Sequence, residues 1–147
     1  MTEAEPGKVE MAAKNAAVFE NIMEFDKGFQ TLIGERGITL SGGQKQRLSI
    51  ARAIIKEPQI LIFDDCLSAV DTKTEEEILS NLSNLMKNKT SILIAHRVST
   101  IKNADRILVM DNGEIVEQGT HTNLMALKGV YFDLFEKQLL EEQTTGE

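Results

Sequence analysis

The chain has 147 residues, a formal net charge of −7, 41% apolar and 27% charged residues, the balance of a soluble globular protein with room for one domain and a modest core. The acidic balance argues against nucleic-acid binding as the main task, no run of eighteen apolar residues is present to cross a bilayer, and the acidic, polar start gives no signal-peptide pattern. A single cysteine, Cys66, cannot form an internal disulfide, which suits a reducing compartment.

Residues 1–7 read as frayed, with Pro6-Gly7 as a break. Lys8 to Phe25 is predicted as one helix. Its stripe runs through Val9, Ala12, Ala13, Ala16, Ala17 and Met23, widened by Phe19 and Ile22. Asp26-Lys27-Gly28 is a turn, Phe29 to Ile33 a short extended piece, and Gly34 to Gly37 a loop. Leu40-Ser41-Gly42-Gly43-Gln44 then opens a helix that runs to Lys56 and stops at Pro58. Ser41 suits the N-cap, with Gln44 at capping-box distance. Leu48, Ala51 and Ile55 share one face, and Lys45, Arg47, Arg52 and Lys56 read as a solvated face.

Gly42 and Gly43 are poor helix formers in a first turn. Bare backbone there lets an anion reach the free N–H groups, which the helix dipole favours. A flexible Gly-Gly turn ahead of a helix is the plain alternative.

Ile60-Leu61-Ile62-Phe63 is wholly apolar, as in a parallel strand buried on both faces, and it ends in Asp64 and Asp65. Ligands of open α/β folds sit beyond such strand ends. Carboxylates at that point either hold Mg²⁺ and orient a water, or are solvated loop acids. Cys66 reads as a small loop residue. Asp71 or Thr72 caps the next helix, with Glu75 three residues after Thr72, and Ile78, Leu79, Leu82, Leu85 and Met86 form its apolar stripe. Thr90 to Ala95 is a second buried strand. The strand–helix–strand order implies a right-handed parallel crossover, which brings His96 near Asp64 and Asp65.

Asp105 to Met110 is a third strand, Asn112-Gly113 a type I′ turn, and Glu114 to Gln118 the antiparallel return. Thr120 to Leu127 and Val130 to Glu142 read as closing helices separated by Gly129, with Tyr131, Phe132 and Phe135 as core contacts. His121 reads as structural or surface. The polar tail after Glu141 is expected to be disordered.

With these residues in view, Leu40 to Gln44 resembles the signature motif of ATP-binding cassette (ABC) ATPases. Ile60 to Asp64 resembles their Walker B strand, Ser68 to Asp71 their D-loop, and His96 their switch histidine. The four occur in the family's order and spacing, in the style of exporter nucleotide-binding domains. The resemblance implies an α/β fold: a partial P-loop NTPase (ABC ATPase) with a parallel sheet core, a C-terminal β-hairpin and helices. Residues 1–147 would form one partial domain, with a helical and signature region over 8–57, a sheet core over 58–119, and C-terminal helices and tail over 120–147.

The resemblance also implies roles. Ser41, Gly42, Gly43 and Gln44 would contact ATP held by a second nucleotide-binding domain, and Asp71 would make a contact across that dimer. Asp64 would hold Mg²⁺, Asp65 would take the place of the general base, and His96 would meet the γ-phosphate. A transmembrane domain is the other implied partner, at the cytoplasmic face of the cell membrane. Two departures stand out. No G-x-x-x-x-G-K-[ST] loop is present, and the only Gly-Lys pair is Gly7-Lys8, so the chain resembles the C-terminal half of a cassette and is expected to be inactive alone. Aspartate also stands at position 65, where the family usually has glutamate, as in the impaired site of heterodimeric exporters. A non-catalytic interaction fragment and a soluble cassette ATPase are the competing classes.

Overall fold

The computed structural model describes residues 5–34 and 37–145. Residues 1–4, part of the expected frayed start, lie outside the described residues, as do Glu35 and Arg36 of the expected loop and the last two residues of the tail. The chain divides into two compact units, residues 1–94 and 95–147.

The first unit begins with α1 (Pro6–Asn15) and α2 (Phe19–Met23), and Pro6 opens the helix. Proline is suited to a first turn because its missing N–H would be unbonded there in any case. Pro6 is therefore a start and not the expected break, and Gly7-Lys8 lies inside a helix and not in a phosphate loop. The single helix expected over 8–25 is two. Ala17 takes a left-handed φ of 50°, and the Arg47 guanidinium donates to its carbonyl. A 3₁₀ turn follows at Gly28–Gln30, so that it takes in the last residue of the expected turn and the first two of the extended piece expected over Phe29 to Ile33.

The next helix, α3 (Gly42–Ile54), is followed by β1 (Ile60–Asp64), α4 (Thr72–Met86) and β2 (Thr90–Ile94). The two strands pair in parallel, Ile60 against Thr90 through Asp64 against Ile94. The core of this unit joins Ala12, Ala13, Ala16 and Ile22 to Ile50, Ala51 and Ile54 of α3, to Leu61 and Phe63 of β1, and to Ile78 and Leu82 of α4. Leu48 and Ile55 pack at its edge. The inward stripe of α3 is thus centred one residue away from the expected 48-51-55 face.

β1 is covered on one face only. Leu61 and Phe63 are buried, while Ile60 and Ile62 are 60% and 62% exposed and Ile92 and Ile94 of β2 are 46% and 49% exposed. The expectation of burial on both faces fails because the helices of this unit cover one side, and no other layer among its described residues covers the second. Glu75 is the one buried charged residue among those described. It sits in the first turn of α4, where the helix dipole favours an anion.

The second unit holds α5 (Val98–Ile101), β3 (Ile107–Asp111), β4 (Glu114–Gly119), α6 (His121–Leu127) and α7 (Val130–Thr145). β3 and β4 form an antiparallel hairpin with an irregularity at Val109/Met110. Asn112 and Gly113 both take positive φ, 48° and 84°, as the type I′ reading requires. Val98, Ile107, Val109, Leu124 and Tyr131 form the core, with Phe135 at its edge. His121 Nδ1 lies 2.8 Å from the Tyr131 hydroxyl, so the imidazole takes part in packing. The helix α7 continues through the tail expected to be disordered, as far as Thr145. The Glu117 carboxylate caps it, accepting from the Val130 and Tyr131 N–H groups at 2.6 and 3.0 Å.

Candidate functional site

The first turn of α3 is built by a complete capping box. Ser41 Oγ accepts from the Gln44 N–H at 3.2 Å, and the Gln44 side chain accepts from the Ser41 N–H at 2.9 Å. The Lys45 N–H closes on the Ser41 carbonyl. Two donors of that turn are left over: the Gly42 and Gly43 amides have no acceptor among the described residues. They open onto a cleft of about 320 Å³ lined by Ser41, Gly42, Gly43, Arg47, Ala69, Val70 and Asp71. Free N–H groups at a helix start, backed by the dipole, suit an anion.

The two glycines differ in their surroundings. A Cβ on Gly43 would stand 2.8 Å from the Ala69 carbonyl oxygen, whereas one on Gly42 would lie 3.6 Å from the Ala69 Cβ. Gly43 therefore permits close approach between the helix start and the 68–71 loop, a reason separate from ligand access and not visible in the sequence reading.

Arg47 is half-buried, not part of a solvated face. Its guanidinium donates to the Gly43 carbonyl at 3.3 Å and to the Ala17 carbonyl. No carboxylate pairs with it among the described residues, so its charge stays available to the cleft. Lys45, Arg52 and Lys56 are exposed as expected.

At the tip of β1, Asp64 is exposed and Asp65 follows with a left-handed φ of 47°. Only a few per cent of non-glycine residues lie in this region, so its support is informative. The Asp65 N–H donates to the Ile94 carbonyl at 3.0 Å. Its carbonyl accepts from Ser68 Oγ at 3.1 Å and from Gln46 Nε2 at 3.3 Å. Gln46 also donates to Ser68 Oγ at 3.0 Å and accepts from the Ala69 N–H at 2.9 Å.

Asp71 is the N-cap of α4. One carboxylate oxygen accepts from the Thr74 N–H at 3.0 Å and the other from Thr74 Oγ1 at 2.7 Å. These bonds hold its pKa below the ordinary carboxylate value. The structure thereby selects Asp71 over Thr72 as the cap. Burial pushes the Cys66 thiol up to about 11, which leaves it a poor nucleophile at neutral pH.

His96 follows β2 by two residues, and the last residue of β2, Ile94, is the register partner of Asp64. In the second unit, the Gln138 side chain of α7 donates to the His96 carbonyl and accepts from the Val98 N–H at 2.8 Å. Among the described residues no group of three or more His, Cys, Asp or Glu side chains could hold a metal ion. Asp64 fits the one-carboxylate share of a Mg²⁺ site, in which phosphates and water complete the shell.

The sequence profile of the ABC transporter family matches residues 2–68. The structure of a bacterial Atm1-family ABC exporter with ATP bound is similar over 94% of this chain, with a TM-score of 0.87 and 45% identity.

The chain is similar to ABC transporters.

It matches that exporter over only 24% of the exporter's own chain. ABC transporter B family member 4 of Dictyostelium discoideum is 51% identical over 132 residues, 90% of this chain and 17% of that protein. An ATP-dependent lipid A-core flippase of Psychrobacter cryohalolentis is 52% identical over 130 residues, 88% of this chain and 22% of that protein. The chain thus spans about a fifth of the length of these relatives. Its likeness is to the nucleotide-binding part of ABC exporters, and no helix among the described residues is long and apolar enough to cross a membrane.

Proposed function

We propose that this chain supplies one half of a composite ATP site in an ABC exporter, where ATP hydrolysis is coupled to substrate export. The observation that carries the reading is the pair of unbonded amides at Gly42 and Gly43, opening with Arg47 onto one cleft. Ser41, Gly42 and Gly43 contact the phosphates of ATP held by a second nucleotide-binding domain. Gln44 acts through the cap, because its side chain is committed to the Ser41 N–H. Asp71 lines the same cleft and faces the partner domain while it caps α4.

Asp64 and Asp65 serve a second nucleotide, the one held on this chain's own side. Asp64 would hold Mg²⁺, Asp65 would orient the attacking water, and the family resemblance gives His96 a γ-phosphate contact. Bound magnesium supplies charge neutralisation between the phosphates. Aspartate at position 65 is one methylene shorter than glutamate, and misplacement of about 1 Å can cost on the order of 10²-fold in rate. This site is the weak one of a heterodimeric pair, and the intact signature residues serve the strong one. A transmembrane domain of the exporter and the cytoplasmic face of the membrane complete the assignment.

Without a glycine–lysine phosphate loop, this chain alone does not bind Mg-ATP. Calorimetry on the 147-residue chain is expected to show no saturable binding in the micromolar range. In a full-length pair carrying this segment, Asp65→Glu is expected to raise turnover at the weak site. Micromolar binding by the chain alone refutes the composite-site reading, and unchanged turnover in the Glu variant refutes the reach argument.

A further inference from the structure

We infer that Gln46 is a positioning residue that locks the Asp65 turn and the Ser68–Ala69 segment to the start of α3, so that the two half-sites move as one body. The inference rests on the reading above only in calling these elements half-sites; the lock itself rests on geometry.

Gln46 lies one turn into α3, and all of its bonds to this loop run across a sequence gap of nineteen residues or more. Its amide end donates to the Asp65 carbonyl and to Ser68 Oγ, and its carbonyl end accepts from the Ala69 N–H. The network fixes which end is which, because an N–H at Ala69 requires the carbonyl. Ser68 Oγ closes the circuit by donating to the Asp65 carbonyl. The left-handed Asp65 is thus gripped from β2 through its N–H and from α3 through its carbonyl. An unfavourable φ persists only where its surroundings hold it, and Gln46 is the one side chain of α3 that does so among the described residues.

The consequence concerns communication. Gly42 and Gly43 face one nucleotide and Asp65 the other, and Gln46 lies within one turn of the glycines. A displacement of the α3 start toward bound phosphate is carried to Asp65 through three hydrogen bonds, without any movement of β1.

Two variants of the full 147-residue chain test this by NMR. In Gln46→Ala, the Ala69 amide is expected to exchange about fivefold to tenfold faster, the factor set by one net hydrogen bond, while Leu61 and Phe63 amides in β1 stay protected. The strong intraresidue Hα–HN contact that a left-handed φ gives Asp65 is expected to weaken. Gln46→Glu keeps the acceptor for Ala69 but removes the donor, so Ala69 protection survives and the Asp65 signature alone weakens. If Gln46→Ala lowers protection throughout β1, the near-isosteric Gln46→Glu decides by its Asp65 signature. An unchanged Asp65 signature in Gln46→Glu, or unchanged Ala69 exchange in a folded Gln46→Ala, overturns the lock. Titration with Mg-ATP in the presence of a phosphate-loop-bearing partner, read at Gly42 and Gly43, tests the site reading separately. Failure there removes the half-site interpretation and leaves the lock to be judged by exchange.

Discussion

Adjacent glycines at the start of α3 allow a controlled comparison. A Cβ on Gly43 would stand 2.8 Å from the Ala69 carbonyl oxygen and 3.7 Å from its carbonyl carbon. The obstacle is backbone, so no side chain can rotate aside, and either the helix start or the 68–70 segment must move. Displacement of that kind costs about 1–3 kcal/mol. Alanine in place of glycine within a helix returns up to about 1 kcal/mol of propensity. Gly42→Ala gains the same propensity but places its Cβ 3.6 Å from the Ala69 Cβ, an ordinary contact. Propensity therefore cancels between the two variants, and Gly43→Ala should be less stable than Gly42→Ala by about 1–3 kcal/mol. Urea unfolding of the two proteins, followed by far-ultraviolet circular dichroism, measures that difference directly. Equal midpoints with equal slopes would show that the close approach at Ala69 is not a constraint.

Glu117→Ala leaves the Val130 and Tyr131 amides uncapped and should destabilise the second unit by about 1–2 kcal/mol, read as faster amide exchange in the first turn of α7. The open face of β1 and β2 should drive self-association at high concentration, and Ile62→Lys combined with Ile92→Glu, an opposite-charge pair at facing register positions, should shift sedimentation toward monomer; a wild-type chain that is already monodisperse and melts cooperatively contradicts this. The lowered pKa of Asp71 means that its cap stabilises α4 above the ordinary carboxylate value of 3.8 and that this contribution is lost as pH falls through the lower folded value. Asp71→Asn should therefore flatten the acid limb of the stability profile, and an unaltered limb would assign the acid loss to other groups.

Much of the fold was legible because its signals are local. The capping box at Ser41–Gln44, the Asn112-Gly113 turn and the α4 stripe each depend on residues within one or two turns of one another. The misreadings share a cause, which is contact between distant segments. The break at Ala17 coincides with a hydrogen bond from Arg47, thirty residues away, and no local pattern announces it. The reading of β1 as doubly buried failed because an apolar run records what a strand can tolerate, not which layers are present to cover it. Arg47 and Gln46 were closer to hand. Gly43, Gln46, Arg47 and Ile50 stand at helical spacing, on the side that leads into the buried Ile54. Extending the stripe to the N-terminus would have placed both polar side chains at its inner end. Gln138, forty-two residues from His96, had no such signal.

The hydrogen bonds around α3 limit what the cleft can do. The Ser41 and Gln44 amides are consumed by the capping box and the Ala69 amide by Gln46, while Thr74 takes one acceptor position on each oxygen of Asp71. The donors that remain on this wall, among the described residues, are the Gly42 and Gly43 amides, with the charge of Arg47 behind them. Two free donors beside a cation form a local positive spot on a chain whose net charge is −7, opposed on the same cleft by the Asp71 carboxylate. Free donors at a helix start suit an anion. This wall is suited to meet an anion that another surface presents, as the proposed composite site requires.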